Sequence, residues 1–294
     1  MLYIVVPVYN RVKDTLKILG SFSQQTYSEF QVIVVNDGST DGTPEKVNQY
    51  FPATKVLHTL GDYWWSATIN EGVKYVMSVG DQQSDYIMII NNDVDFAEEF
   101  LTKMTKTMAG KKDRILNPIS LDSSGNGRVV SSGGKVVSWW LALHSHTYAG
   151  RNVSKLKEQE ATEVDFLSGR GTLMPLSIFS KIGLYNQYKL PQVHSDYEFT
   201  WRAKRFGYEV LLDPTIRVYI DVHTTGLDPL VRRLTLREIL RSFWFRHSPS
   251  NLKARYNAAR LMVPPYALPS YLLVAFMKIM VSSFVLNWLS KKKS

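Results

Sequence analysis

Cysteine is absent from the 294 residues. Its absence excludes disulfides, thiolate nucleophiles and Cys-ligated zinc or iron–sulfur centres, so any metal must rest on Asp, Glu, Asn or His. Glycine-rich phosphate loops are missing too. No Gly-x-Gly-x-x-Gly follows the first apolar run and no Gly-x-x-x-x-Gly-Lys-Ser/Thr occurs anywhere, which takes the main support from dinucleotide dehydrogenase and P-loop readings. The opening Leu2-Tyr3-Ile4-Val5-Val6-Pro7 lacks a basic n-region and a small-residue cleavage site, so no signal peptide and a cytosolic side are expected. Acids are scarce at one end: residues 226–294 hold twelve Lys/Arg against two Asp/Glu, whereas residues 1–225 hold 23 against 24. The net charge of +9 therefore belongs to an apolar-rich tail on a neutral body, a pattern that points to a membrane surface and away from nucleic acid.

What is present is a chain with 45% hydrophobic residues, enough for a substantial core. Short β-rich runs at Leu2–Val8, Gln31–Val35, Lys55–His58 and Tyr86–Ile90 alternate with helix-like stretches, the signature of a parallel sheet with crossover helices. Each run is followed by a polar loop: Tyr9-Asn10-Arg11, Asn36-Asp37-Gly38-Ser39-Thr40-Asp41, Gly61-Asp62-Tyr63 and Asn91-Asn92-Asp93-Val94-Asp95. Ligands of open α/β sheets bind outside the carboxyl ends of the strands, where these four loops lie. From about Lys111 to Asp165 Gly- and Ser-rich turns separate short β-like runs, which predicts a mixed extension of the sheet. Ser195-Asp196-Tyr197-Glu198 has capping-box spacing and predicts a helix from Ser195 to Gly207. A strand is expected at Ile216–Val222, and helices beyond Gly226, divided at Pro249 and at Pro264-Pro265.

Three motifs in order, Val6-Pro7-Val8-Tyr9-Asn10-Arg11, then Val35-Asn36-Asp37-Gly38-Ser39-Thr40-Asp41, then Ile90-Asn91-Asn92-Asp93-Val94-Asp95, resemble the family 2 glycosyltransferases of the GT-A fold. The resemblance covers roughly residues 1–225. It implies a mixed, mainly parallel α/β sheet, split into a nucleotide-binding half (1–110) and an acceptor half (111–225), and an inverting transfer from a UDP- or dTDP-sugar. By resemblance, Asp37 accepts a hydrogen bond from a pyrimidine N3–H; the same Asn-Asp-Gly also reads as a plain turn. Asp41 reads equally as a helix cap. Asn91-Asn92-Asp93 stands where the family has its metal-binding Asp-x-Asp, with Asn91 replacing the first acid. Asp93 is then the ligand for Mg²⁺ or Mn²⁺, joined by Asn91 and by His223, with Asp95 in reserve or capping a helix. Pro7, Tyr9, Asn10, Arg11, Asn70, Asn92 and Arg170 are the remaining donor-site candidates. Asp196 is the implied general base, in a segment where Ser195 replaces the other acid of the family's pair. A helix N-terminus there favours the ionised form. Asp196 and Glu198 also read as ordinary first-turn acids, with Glu198–Arg202 an i,i+4 pair. Trp64 and Trp65 suit a sugar or lipid acceptor, or the core.

The apolar run Tyr271–Leu289 carries Lys278 near its middle, and an unpaired Lys at mid-bilayer costs about 2.5–3.5 kcal/mol. Residues 226–294 are therefore expected as a helical segment lying on the membrane, with Lys278 toward the headgroups, on the cytoplasmic face. Packing back on the transferase domain and pairing in a homodimer are the alternatives. The acceptor this implies is a glycan, lipid-linked, in surface polysaccharide synthesis. Two rival functions stay open at this point. One is a sugar-1-phosphate nucleotidyltransferase, weakened by the short glycine-free loop after the first run. The other is a membrane adaptor with decayed motifs, kept open by Asn91 and Ser195.

Overall fold

The computed structural model describes residues 1–130, 132–156, 160–222, 236–248 and 250–291, with no side chains described for Leu236, Ile239 and 282–291. Strands β1 (Leu2–Val8), β2 (Phe30–Asn36), β3 (Lys55–His58) and β4 (Tyr86–Ile89) are connected by α1 (Val12–Ser23), α2 (Thr43–Tyr50) and α3 (Trp64–Val79). They run parallel in the order β3-β2-β1-β4, Val5 pairing with Ile33 on one side and Ile89 on the other. Alternate residues of one strand feed opposite layers. Tyr3 and Val5 join Ile69, Val73 and Val76 of α3, whereas Ile4, Val6 and Val8 join Ile18, Leu19 and Phe22 of α1. Helices cover both faces, which is why β1 reads as an unbroken apolar run. Gly72 sets the depth of α3 on the sheet: a Cβ there would sit 2.5 Å from a Val5 methyl and 2.9 Å from a Val35 methyl.

The sheet continues through β5 (Val94–Asp95), α4 (Phe100–Met108), β6 (Arg114–Asp122), β7 (Gly133–Ser138), β8 (Leu143–His146), β9 (Thr162–Glu163), β10 (Phe166–Leu167), β11 (Thr172–Pro175), α5 (Ile178–Ile182), α6 (Ser195–Arg205) and β12 (Glu209–Ile220). Antiparallel β11 bridges β4 and β6, β12 lies parallel to β6, and β5 closes that edge. The result is the GT-A arrangement, a mixed and mainly parallel sheet flanked by helices. The irregular stretch before Asp165 does more than extend this sheet: β7, β8 and β10 form a separate three-stranded one.

Two local expectations change. Ser195 does not cap α6; it is the first helical residue, its Oγ buried with no hydrogen-bond partner among the described residues, and His194 holds the cap position at φ 66°. Glu198 does not reach back either. It binds Arg202 through Oε1 (2.8 Å) and Oε2 (3.1 Å) while Arg202 also donates to the carbonyls of Ile182 and Leu184, so the pair fastens α6 to the end of α5. β12 begins seven residues before the expected strand and ends at Ile220, and His223 lies outside the described residues.

After residue 235 come α7 (Leu236–Ser242), α8 (Leu252–Met262) and α9 (Leu268–Lys291). Among the described residues no helix is long and apolar enough to cross a membrane. This segment packs on the body. Asn257 Nδ2 donates to Lys189 O (2.8 Å), and Trp139 lies in one cluster with Ala259, Val263 and Tyr271. Lys278 is exposed, and its ammonium donates to the carbonyls of Leu141 (2.7 Å) and Ala142 (3.0 Å) of the hairpin.

Candidate active site

The loops after β1, β2 and β4 meet α3 around a cavity of about 520 Å³ lined by Pro7, Tyr9, Arg11, Asp37, Asn91, Asn92 and Asp93. Seven of the proposed donor and metal residues thus converge at the carboxyl edge of the sheet. Asn10 serves one step back: at φ 48° its amide donates to Ser39 Oγ (3.0 Å) and its Oδ1 accepts from Thr40 N–H (2.7 Å), tying two loops together. Asp41 caps as the alternative reading held. Its carboxylate accepts from Val12 N–H at the start of α1 and from Thr43 N–H at the start of α2.

Asp37 is buried and already engaged. Oδ1 accepts from Thr59 Oγ1 (2.6 Å), both oxygens share Tyr63 N–H (3.1 Å), and Oδ2 accepts from Trp64 N–H (3.1 Å). A carboxylate offers about four acceptor sites, so these three donors leave room for one more. The same bonds hold Trp64 at φ 63°, with the Arg246 guanidinium 4.7 Å from its ring and the His247 ring 5.1 Å away. Sequence reasoning missed Thr59, Gln192 and His247. Gln192 Oε1 accepts from Trp65 N–H (3.0 Å), and Gln192 and His247 line the cavity. Neither belongs to a motif; His247 sits in the basic tail that charge counting assigned to the membrane.

Asp93 is the residue best placed for a cation. Oδ2 lies 3.6 Å from Arg11 Nη1, whereas Oδ1 is buried with no hydrogen-bond partner among the described residues. A carboxylate oxygen left without a donor costs free energy unless something positive meets it, and a cation held chiefly by phosphate and water fits that demand. Asn91 Oδ1 accepts from Trp65 Nε1 (2.8 Å) and keeps one lone pair. Asn92 is buried and donates to Thr15 Oγ1 (3.0 Å). Among the described residues no three His, Asp or Glu side chains cluster as a metal site.

Asn70 is not at the cavity. Its carboxamide accepts from Tyr185 N–H (3.0 Å) and donates to Tyr185 O (3.0 Å) and Gln187 Oε1 (2.7 Å), so it braces α3, whose first turn carries Trp64 and Trp65, against the segment before α6.

Asp196 does not line this cavity; it lies beside Gly169, whose other neighbour is Trp65 of the cavity wall. Its Oδ2 accepts from Gly169 N–H (2.9 Å) and Oδ1 from Tyr197 N–H (2.9 Å). Gly169 is required here: a Cβ would meet Trp65 Cζ2 at 2.7 Å and Asp196 Cβ at 3.7 Å. Burial pushes the Asp196 carboxyl up, and the Gly169 and Tyr197 amides and the Arg170 charge only partly oppose it. Desolvation therefore outweighs the helix N-terminus that was expected to favour the ion, and makes the carboxylate a stronger base. Arg170 is placed near enough to act on Asp196, outside the cavity lining.

The comparisons agree with this architecture. The family model described as "Glycosyl transferase family 2" matches residues 3–183. An "Uncharacterized glycosyltransferase" of Haemophilus influenzae is 30% identical over 110 residues, covering 37% of this chain and 34% of that protein. The N-acetylglucosaminyl-diphospho-decaprenol L-rhamnosyltransferase of Mycobacterium tuberculosis is 24% identical over 245 residues, 78% of this chain and 79% of that one. The first two curated relatives are matched over only about a third of their length. Among solved structures, GalNAc-T7 with UDP, GalNAc and Mn²⁺ superposes with a TM-score of 0.59 at 14% identity, covering 90% of this chain and 51% of that one. S. aureus TarS 1-349 in complex with UDP-GlcNAc superposes with a TM-score of 0.58 at 16% identity, covering 100% and 92%. With the family model spanning residues 3–183 and the motif loops of that span gathered at one cavity, the chain belongs to glycosyl transferase family 2.

Proposed function

We propose that this chain transfers a glycosyl group, with inversion, from a UDP- or dTDP-sugar to a hydroxyl of a lipid-linked glycan used in surface polysaccharide synthesis. The observation that carries the reading is the Asp196 carboxylate, held by two amides at the wall that Trp65 shares with the donor cavity. The acceptor oxygen attacks the anomeric carbon as the bond to the nucleoside diphosphate breaks, and its proton passes to Asp196. Asp37 takes the base N3–H on its remaining acceptor site, Tyr9 and Trp64 offer aromatic faces beside it, and Arg11 meets phosphate. A divalent cation, when bound at Asp93 with Asn91 nearby, offsets charge on the diphosphate leaving group. GalNAc-T7 with UDP and Mn²⁺ and TarS with UDP-GlcNAc support a nucleotide-sugar donor. The diphospho-decaprenol acceptor in the name of the mycobacterial relative supports a lipid-linked one.

The basic, apolar C-terminal segment is consistent with peripheral attachment to the cytoplasmic face of the membrane. The test is product analysis. With Mg²⁺ or Mn²⁺, UDP- or dTDP-sugars and a prenyl-diphosphate-linked sugar, NMR should show the inverted glycoside and release of the nucleoside diphosphate. Pyrophosphate released from a nucleoside triphosphate instead would establish the nucleotidyltransferase chemistry.

A further inference from the structure

Two sets of large apolar side chains lie open to solvent next to each other. At the tip of the β7–β8 hairpin Trp140 and Leu141 are 54% and 57% exposed, and on α9 Leu273, Met277 and Val281 are 62%, 55% and 57% exposed. The three α9 residues recur every four positions and so share one face of the helix. Its other face is occupied, Leu272 clustering with Ala259 and Val263, and Ile279 with Phe243. α9 therefore has a packed inner stripe and a bare apolar outer one.

The hairpin tip adjoins this outer stripe. Lys278, one residue after Met277, donates to the carbonyls of Leu141 and Ala142 at the turn, where Ala142 sits at φ 44°. The Trp140 ring lies 5.6 Å from that of Tyr266, itself exposed just before α9. A Lys that interrupts an apolar run thus fastens a second apolar element beside it. The charge around both is of one sign: residues 133–147 contain no Asp or Glu, and residues 252–294 contain seven Lys/Arg and no Asp or Glu. A contiguous exposed apolar patch marks an interaction surface. Trp and Tyr within it, and only cations around it, match the boundary of an anionic bilayer, where amphipathic rings sit at headgroup level. A second copy of the chain would instead set these cations against one another.

We propose that the β7–β8 hairpin tip and the outer stripe of α9 form one docking surface for an anionic lipid bilayer, with Trp140 and Leu141 entering the headgroup boundary beside Leu273, Met277 and Val281. The inference rests on the peripheral attachment given under the proposed function. It adds to the C-terminal segment an element 137 residues away from Lys278 in sequence. Strand β7 of that hairpin pairs with β10, which ends at Leu167, two residues before the Gly169 amide that holds Asp196. Docking through the tip therefore sets the acceptor half itself against the lipid.

Co-sedimentation of the full chain with vesicles of phosphatidylcholine, with and without phosphatidylglycerol, tests it. The wild type should bind the anionic vesicles and lose about tenfold or more in affinity when phosphatidylglycerol is left out. Trp140→Ser with Leu141→Ser should weaken binding to anionic vesicles by about tenfold, as should Leu273→Ser with Met277→Ser. Tyr50→Ser, at an exposed position on α2, should change nothing, and all variants should keep the UDP affinity of the wild type. Acyl chains carrying bromine should quench tryptophan emission in the wild type and quench it less in Trp140→Phe, a conservative change at an exposed site. Weakening by the α9 pair with none by the hairpin pair, or equal quenching in Trp140→Phe, overturns the inference and leaves peripheral attachment standing. Failure of the wild type to bind anionic vesicles sinks the attachment and this inference with it. A dimer in sedimentation that the hairpin pair abolishes would overturn the inference by giving the face to a second copy.

Discussion

The Gly169 amide donates to Asp196 Oδ2 at 2.9 Å, and the space that lets it do so exists only because residue 169 has no Cβ to strike the Trp65 indole. Trp65 in turn donates from Nε1 to Asn91 Oδ1. One chain of contacts therefore runs from the proposed base to the proposed metal loop. Gly169→Ala must displace Trp65, at a cost of about 1–3 kcal/mol. A lower Tm and weaker UDP-sugar binding are expected together; calorimetry and titration of the variant check both.

Burial raises the Asp196 pKa, so the folded chain holds that proton more tightly than the unfolded one. The group's contribution to stability is then fully present below the ordinary carboxylate value and is lost as pH rises through the raised folded one. Asp196→Asn removes this loss. Its Tm minus that of the wild type should grow from about pH 4 to pH 8, and a difference flat across that range would contradict the raised pKa.

Glu198 behaves differently although it lies two residues away. Its side chain is 4% exposed and pairs with Arg202. Glu198→Ala strands the guanidinium and should cost about 3 kcal/mol. Chemical denaturation should show that stability loss, and activity should recover at low temperature to the extent that folded protein recovers. Persistent inactivity of fully folded variant would give Glu198 a chemical role.

His247 gives a test of the tail. It lines the cavity, its ring tilted against that of Trp64, over which Arg246 also lies. Arg246→Ala removes a cation–π contact worth about 0.5–1 kcal/mol and should weaken UDP binding a few-fold. Identical UDP titration curves for variant and wild type would show that the tail only borders the site.

Strand β1 was legible to the residue because its apolar run is short, bounded by turn residues and buried on both faces, and the edge strand β3 because its Val-Leu pair is set off by polar turns. That Asp37 and Asp93 line one cavity was legible because motif loops sit at strand ends, where topology gathers them. The partner of Asn70 was not legible for a physical reason: an Asn on the buried face of a helix looks the same in sequence whether it meets a ligand or, as here, the backbone at Tyr185. Ser195 failed as a cap because the preceding backbone enters α6 through a left-handed His194, which no local spacing announces. His247 and Gln192 reach the cavity through contacts more than a hundred residues away from Trp65 or Trp64, beyond any window of local pattern.

The role of Asp196 is tested most directly by comparing sugar transfer with UDP binding in Asp196→Asn, an isosteric change that keeps one amide bond and removes the base. Turnover should fall by about 10²–10⁴ while UDP affinity stays at the wild-type value. Turnover near that of the wild type would contradict the assignment of Asp196 as the base.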